Sequence, residues 1–595
     1  MKQFMKYVLA TIVGVVLASV IVTIFTLVSL AGSVAMNSES VTVQDNSVVV
    51  FQLNGVIDER TEESPFAQFL GSKMESIGLD NIIRGIDNAK DNDNVKGMYI
   101  EAGLLSGATP AALEEIRTHL VDFKKTGKFI VAYGDNFTQG EYYLASVADS
   151  IAINPQGIIE WRGLAMSTMS YKELLDKVGV KMQIFKVGTY KSAVEPYILP
   201  HISDANREQL TVMSGEIWKQ MCNDISKSRK QLTVERLNQL ADTGIVFADT
   251  KQYKSSGMVD KLAFSECVPT MIAAMMKVDD VDDYNTITLA DMARIESPKD
   301  DSGDEVAVYY AYGEIIDQEV VSGFSTAHNI VGKTVAEDLR QLADDDDVKA
   351  VVLRVNSPGG SAYASERIWH EVEYMKTKKP IVVSMGGYAA SGGYYISCAA
   401  NKIVAEPTTL TGSIGIFGMF PDVSGLTEDK LGVHVDVVKT NEYSDFGSVY
   451  RPMNAGEQEL LQSYINRGYD LFTRRCADGR HMTQDAIKQI AEGRVWTGVH
   501  AKEIGLVDQL GGLDDAIDVA KKLAKVKNCT VVRYPGAEGF MEQLMGQLAD
   551  TGDSYADKKL HETMGEYYNT FRYLQYSATQ LSIQTILPYS IQFNL

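Results

Sequence analysis

Short apolar runs alternate with amphipathic stretches over most of the chain. In one well-defined region, Val348 to Val355 has the pattern of a buried strand, Ser365 to Lys376 that of a helix, and Pro380 to Ser384 that of a second strand. A helix from about Ser391 to Ala400 and a strand from Lys402 to Ala405 are predicted next. Strands joined by crossover helices form mainly parallel sheets, so the pattern predicts the α/β fold class.

One apolar run near the N-terminus is of a different kind. Residues 8–31 are mostly apolar and lie between Lys2 and Lys6 on one side and Glu39 on the other. A helix of this length crosses a hydrocarbon core of about 30 Å. The lysines predict that residues 1–7 stay in the cytoplasm and that the rest is exported, which in a bacterium means a single-pass inner-membrane protein facing the periplasm. The alternative is a cleavable signal peptide, for which residues 31–35 supply small side chains.

The sequence after this segment repeats itself. Asp91–Ile100 matches Asp344–Leu353 at an offset of 253 residues, and Gly140–Pro155 matches Gly392–Pro407 at an offset of 252. Two further blocks, at residues 178–186 and 257–260, match residues 431–439 and 505–508 in the same order. This order indicates a tandem duplication, with a first copy at 45–295, a linker at 296–304 and a second copy at 305–530. Residues 535–595 are predicted to form a helical tail.

Composition and charge exclude several function classes. The 595 residues are 45% hydrophobic and 23% charged, with a net charge of -22, which is typical of an acidic globular protein that repels nucleic acid. The five cysteines have no CxxC spacing, which argues against a zinc site and against a disulfide framework. The sequence contains neither an HExxH motif nor a phosphate-binding loop, so no metal and no cofactor is expected.

The two copies differ at the turn before a short helix. The second copy has Ser391 after a glycine-rich turn, where the first copy has Gln139. A serine at this place presents its hydroxyl at the carboxyl end of a buried strand, and the N-terminus of the following helix favours negative charge nearby. Ser391 is therefore a candidate nucleophile. The alternative is a serine that only caps the helix.

A second difference precedes the first by about 35 residues. The second copy has Pro358-Gly359-Gly360 after a buried strand, and the first copy has the unrelated segment Gly103–Gly107. Glycine amides in a turn are unobstructed by Cβ atoms, as donors to an oxyanion must be. The turn is thus a candidate oxyanion hole, although such turns are often only structural.

A third difference runs in the opposite direction. The first copy has Lys191 where the second has Ser444, so each copy keeps one half of a serine–lysine pair. A lysine accepts a proton only when neutral, which requires burial to lower its pKa from about 10.4 towards 7–8. Burial at a junction between the two domains would do this. A solvated surface lysine is the alternative, and a Ser-His-Asp triad stays open, although no histidine lies in a segment that indicates a partner for Ser391.

Three segments resemble those of one protein family. They are Val187–Pro196, Asn356–Ser361 and Ala389–Tyr395, and they are similar to the signal peptide peptidase A (protease IV) family in its long, double-domain bacterial form. The resemblance implies a fold related to Clp protease and crotonase, and a membrane-bound serine endopeptidase with a Ser/Lys dyad. It implies Ser391 as nucleophile, Lys191 as general base, and amides of Gly359, Gly360 and Gly392 as the oxyanion hole.

The resemblance also implies partners. Family members assemble into bowl-shaped homotetramers, and the implied substrates are remnant signal peptides and other short apolar peptides. The Thr411–Gly415 turn, which contains Ser413, is a candidate pocket for an apolar side chain, or a plain turn. Two other classes stay open: an inactive membrane-tethered binding scaffold, and a crotonase-type acyl-CoA enzyme, which export from the cytoplasm disfavours.

Overall fold

The structure is a computed structural model, which describes residues 41–60, 76–295, 303–318, 328–536 and 583–586. Its strands are numbered in chain order: β1 Ser47–Asp58, β2 Ser76–Gly78, β3 Val95–Gly107, β4 Phe129–Gly134, β5 Ser150–Ile153, β6 Lys181–Val187, β7 Lys261–Leu262, β8 Asn285–Thr288, β9 Glu305–Tyr312, β10 Glu314–Ile316, β11 Asn329–Val331, β12 Val348–Ser357, β13 Gly359–Ser361, β14 Ile381–Ala390, β15 Lys402–Ala405, β16 Leu410–Gly412, β17 Ile416–Asp422, β18 Val495–Thr497, β19 Gln509–Leu510, β20 Thr530–Tyr534 and β21 Ile583–Ile586.

Helices connect these strands in both copies. The α-helices of the first copy are Leu79–Asp91, Pro110–Lys125, Gln139–Ala145, Lys172–Val178, Glu195–Ile198, Asp204–Ser228, Val234–Asp242, Thr250–Ser256, Val268–Met276 and Leu289–Ala293. Those of the second copy are Gly332–Asp344, Ala362–Lys378, Gly392–Ser397, Ala455–Arg480, Gln484–Ile490, Gly498–Glu503 and Leu513–Ala524.

Each copy is built on its own sheet. The first copy has the strand order β2-β1-β3-β4-β5-β7, with β8 also on β1, and all of these neighbours are parallel. The second copy has the order β20-β9-β12-β14-β16-β18, and only the edge pair β16–β18 along this order is antiparallel. The central strand β12 is buried on both faces, as parallel strands covered by helices must be. The α/β fold class and the duplication are confirmed.

Two element boundaries differ from the sequence pattern. The strand expected to end at Ser384 continues as β14 to Ala390, because Tyr388 to Ala390 pair with β16. The helix expected from Ser391 to Ala400 is correspondingly short, Gly392–Ser397. The chain therefore passes directly from a buried strand into a helix at Ser391.

A third sheet joins the two copies. Its order is β11-β10-β13-β21-β17-β6, and β6 belongs to the first copy whereas the other strands belong to the second copy or to the tail. β6 pairs antiparallel with β17 over seven residues, from Ile416 opposite Val187 to Asp422 opposite Lys181. Phe185 of β6 packs edge-on against Phe420, with ring centroids 6.1 Å apart. The first copy thus extends an arm into the second.

A buried ion cluster also holds the copies together. Arg354 on β12 donates to Glu59 at 2.9 Å and to Glu115 at 2.7 Å, and both carboxylates belong to the first copy. All three side chains are buried. Glu114, next to Glu115, accepts hydrogen bonds from the amide and hydroxyl of Thr408 at 3.2 and 2.9 Å. Groups of both copies therefore complete one polar cluster at the domain junction.

The two ends of the chain are described only in part. The predicted transmembrane segment, residues 8–31, lies outside the described residues, and among the described helices none is long and apolar enough to cross a membrane. The tail was predicted to be helical, but the part of it that the structure describes is a strand. Residues 583–586 form β21, which pairs antiparallel with β13 and β17 and is not helical. Unpaired edges of these two strands supply the hydrogen-bonding partners that favour an extended backbone here. Residues 537–582 lie outside the described residues.

Candidate active site

Ser391 lies at a sharp turn between β14 and the helix Gly392–Ser397. Its backbone has a positive φ, with φ 55° and ψ -111°, and this conformation is strained for a residue with a side chain. Its amide donates to the carbonyl of Gly412 at 2.8 Å, so the turn is fixed by β16. Ser391 is fully buried. Strain of this kind persists where surrounding contacts hold a side chain in a defined direction.

Lys191 is carried to this turn by the arm that contains β6. The arm ends in a loop whose Tyr190 amide donates to the carbonyl of Glu492 at 2.8 Å, and the Thr189 amide donates to the Glu492 carboxylate at 3.0 Å. Gly493 lies so close that a Cβ atom there would be 2.6 Å from the Cβ of Lys191. Residues of the second copy therefore pack closely around this lysine and its loop.

The side chains of Lys191 and Ser391 meet. Lys191 Nζ is hydrogen-bonded to Ser391 Oγ at 2.7 Å, and it donates to the carbonyl and the hydroxyl oxygens of Ser413, both at 3.1 Å. Within the described part of the chain, no carboxylate lies within 4.0 Å of this nitrogen. Lys191 is fully buried, and this loss of hydration lowers its pKa well below the ordinary value.

The geometry favours a neutral amine that accepts a proton from serine. A neutral Nζ has two hydrogens and one lone pair, so in this form it can donate to the two oxygens of Ser413 and accept from the hydroxyl of Ser391. Burial without a carboxylate partner disfavours the charged form of the amine and so lowers its pKa. The arrangement can activate a serine hydroxyl without a histidine or a metal ligand.

The predicted oxyanion glycines lie beside this pair, but one of their amides is already engaged. Gly359 and Gly360 form β13, and the Gly359 amide donates to the hydroxyl of Ser357 at 3.1 Å. Gly392 is the first residue of the helix after Ser391 and is buried. A Cβ at Gly393 would be 2.7 Å from the Ser357 carbonyl, so the start of this helix and the glycine turn adjoin.

β21 occupies the strand position next to the glycine turn. It lies between β13 and β17, with Gly359 opposite Ile586 and Gly418 opposite Ile583. Both neighbours are antiparallel to it. The cleft between β13 and β17 therefore accepts an extended peptide backbone, and the chain's own C-terminal segment fills it here.

Ser413 is placed differently from the expectation of an apolar substrate pocket. Its side chain is buried against Lys191, and its backbone has φ 47° while its amide donates to the Arg494 carbonyl at 2.7 Å. Alignment of the two copies of the sequence already distinguishes Ser413. Ser413 follows Pro407 by six residues, and the sixth residue after Pro155 in the first copy is Trp161, so the serine is specific to the copy that has Ser391. The roles of Glu492 and Gly493 were not predicted.

The counterparts of Ser391 and Lys191 in the other copies, Gln139 and Ser444, do not form a second serine–lysine pair. Gln139 replaces Ser391, and its side-chain oxygen accepts from the amides of Arg162 and Gly163 at 3.2 and 3.0 Å. Ser444 replaces Lys191 and is exposed, where its hydroxyl accepts from the Asn441 amide at 3.1 Å. Among the described residues, the chain brings together one serine–lysine pair.

Two family models match this chain, and two bacterial proteins are similar to it over most of its length. Peptidase family S49 matches residues 122–280 and 373–527, one range in each copy, and the Clp protease family matches residues 302–409. Protease 4 of Salmonella typhi is 39% identical over 80% of this chain and 77% of its own length. Protease 4 of Haemophilus influenzae is 33% identical over 89% of this chain and 88% of its own length.

A plant protease and a solved Clp protease chain are also similar to this chain. The chloroplastic serine protease SPPA of Arabidopsis thaliana is 31% identical over 81% of this chain and 70% of its own length. A solved ClpP1 chain from Listeria monocytogenes is 18% identical, covers 35% of this chain and 94% of its own length, and has a TM-score of 0.24.

Proposed function

We propose that this chain, which belongs to peptidase family S49 and is a serine peptidase, uses Ser391 as its nucleophile and Lys191 as its general base. The observation that carries the proposal is the 2.7 Å contact between Lys191 Nζ and Ser391 Oγ in a fully buried setting. Burial that lowers the pKa of this lysine supports a base that works near neutral pH.

The proposed reaction has two halves. Lys191 Nζ takes the proton of Ser391 Oγ–H as Oγ bonds to the carbonyl carbon of the scissile peptide, and the carbonyl oxygen becomes an oxyanion. The oxyanion collapses, the C–N bond breaks, and the protonated Lys191 gives its proton to the leaving amine. Water then enters, loses a proton to Lys191 and attacks the ester, which releases a carboxylate product and restores Ser391 Oγ–H. Ser413 keeps Nζ aimed at Ser391 in each step.

The amide of Gly392 and that of Gly359 are the proposed donors to the oxyanion. Gly392 directly follows the nucleophile, and the glycine turn adjoins the start of its helix. For Gly359 to donate, its amide must exchange the Ser357 hydroxyl for the oxyanion. The stronger, charge-assisted hydrogen bond to an anion favours that exchange.

The proposed substrates are remnant signal peptides and other short apolar peptides. Pairing of β21 with β13 and β17 supports a cleft for an extended backbone, and such a cleft suits a peptide that has left its helical state. The apolar residues 8–31 support a single-pass anchor in the inner membrane, with the peptidase domains in the periplasm, which would concentrate apolar peptides near the site. A homotetramer is the proposed assembly.

Labelling of the full-length protein with a fluorophosphonate tests the dyad. Wild type should be acylated at Ser391, Ser391→Ala should not be acylated, and Lys191→Met should be acylated far more slowly. In a parallel assay, membranes that contain the enzyme should degrade a synthetic signal peptide and spare a soluble polar peptide of equal length. Absence of wild-type labelling in folded protein would instead favour an inactive binding scaffold. Labelling without signal peptide degradation would leave a serine peptidase with another substrate.

A further inference from the structure

One buried carboxamide holds the loop that carries Lys191. Gln209 lies on the helix Asp204–Ser228 of the first copy and is 2% exposed. Its side-chain nitrogen donates to the carbonyl of Tyr190 at 3.2 Å and to the hydroxyl of Ser192 at 3.1 Å. These two residues flank Lys191 in the chain, so a single side chain fixes the loop on both sides of the lysine.

The orientation of this carboxamide is fixed by its neighbours. Gln209 Oε1 accepts from the amide of Val495 at 3.2 Å, and a backbone amide can only donate. The nitrogen faces the carbonyl of Tyr190, which can only accept. The side-chain oxygen of Asn206 is a further acceptor, 3.3 Å from the same nitrogen. Gln209 therefore uses both halves of its carboxamide, the donor toward the first copy and the acceptor toward the second.

Val495 belongs to the segment of the second copy that also holds the hydrogen-bond partner of the lysine. The carbonyl of Arg494, the preceding residue, accepts from the amide of Ser413 at 2.7 Å. Ser413 in turn accepts from Lys191 Nζ through its carbonyl and its hydroxyl. The carboxamide of Gln209 therefore joins the loop that carries the base to the segment that positions its partner.

We propose that Gln209 is a positioning residue for the general base, because its carboxamide fixes where Lys191 Nζ lies relative to Ser391 Oγ. This inference rests on the proposed roles of Lys191 and Ser391 and adds a third residue to them. Gln209 contacts the chain around the lysine rather than Nζ itself, so its effect passes through Lys191. Proton transfer needs the two atoms in register, and a misplacement of about 1 Å can slow a reaction about 10²-fold.

The same helix provides a matched control. Gln220 is half-buried, and its side-chain nitrogen donates to the carboxylates of Glu114 at 2.9 Å and Asp224 at 3.2 Å. Neither partner belongs to the Lys191 loop or to the segment that holds its partner serine. A general loss of hydrogen bonds from this helix would follow from a change at either glutamine, whereas displacement of the base would follow from a change at Gln209 alone.

Gln209→Met in the full-length protein tests the role, because it removes both hydrogen-bonding halves of the side chain and keeps its length. At pH 7, the limiting rate constant of acylation by a peptidyl phosphonate should fall about 10–100-fold, while the concentration that gives half of this rate stays within about twofold. The rise of the rate with pH should move to higher pH, because a lysine that is less closely enclosed is better hydrated and its pKa returns towards the ordinary value. Gln220→Met should leave both the rate and the pH profile unchanged.

Combination with Lys191→Met separates positioning of the base from general support of the fold. If Gln209 acts through the lysine, Gln209→Met should not slow the residual acylation of Lys191→Met any further. Equal slowing in both backgrounds, or a wild-type rate in Gln209→Met, would overturn the inference. If Gln209→Met does not fold, Gln209→Glu, which when ionised keeps the acceptor for Val495 and lacks the donor for Tyr190, takes its place in the same comparison. Unchanged acylation in Lys191→Met alone would refute the proposed base itself, and this inference with it.

Discussion

Replacement of Lys191 by methionine tests the central claim about the base. Methionine fills nearly the same buried volume without an amine, so the fold is expected to persist while the contact to Ser391 Oγ is lost. Fluorophosphonate acylation at pH 7 should become about 10²–10⁴ times slower, the usual contribution of a positioned general base. The rate constant is measured from the time course of labelling.

The magnitude follows from the protonation state of the lysine. An ordinary lysine, with a pKa of about 10.4, is neutral in only about one molecule in 2,500 at pH 7. Burial of Lys191, with Ser413 as an uncharged partner, lowers its pKa, and each unit of lowering raises the neutral fraction about tenfold. The wild-type rate should therefore rise with pH and reach a plateau well below pH 10.4. Lys191→Met should show no such rise.

Stability provides an independent check on the same group. The folded pKa lies below the unfolded one, so the unfolded state binds more protons between the two values, and the free energy of unfolding of wild type rises with pH across that window. Lys191→Met should remove this slope. Lys181→Met, at an exposed lysine on β6, is the control and should preserve both profiles. Unchanged labelling of folded Lys191→Met at pH 7 would refute the assignment of the base.

Three further changes address the junction and the cleft. Burial raises the pKa of Glu114 to about 7, so wild type loses stability as pH rises from 4.5 to 7. In urea unfolding at several pH values, Glu114→Gln should reduce this loss by at most about 3 kcal/mol. An unchanged pH dependence of stability would contradict this prediction. Arg354→Met leaves Glu59 and Glu115 buried without their cation and should cost about 3–5 kcal/mol in chemical unfolding; a cost below 1 kcal/mol would show that the cluster relaxes. Removal of residues 583–595 frees the edges of β13 and β17 and should speed acylation by a peptidyl phosphonate about tenfold, because a tethered strand competes at millimolar effective concentration. A small fluorophosphonate should react unchanged, and equal rates for both probes would mean that β21 does not obstruct the site.

The duplication made the contact between Lys191 and Ser391 predictable. Because both copies began alike, the presence of Gln139 in place of Ser391 and of Ser444 in place of Lys191 singled out these two residues independently of any family resemblance. The boundaries of β14 and its following helix were less predictable, since pairing with β16 across the sheet extends the strand to Ala390. The C-terminal strand was missed for the same reason. Its partners, β13 and β17, are more than 160 residues away in the sequence.

The sequence by itself determined the α/β class, the two copies and the complementary loss of serine and lysine, because periodicity and repetition are local properties of the chain. It could not decide that Ser413 would face Lys191, that Glu492 and Gly493 would enclose the lysine, or that the Gly359 amide would be engaged by Ser357. These contacts arise where β6 crosses to the other copy. Tertiary structure alone sets the distance and the burial there, and burial is what lowers the pKa of the lysine.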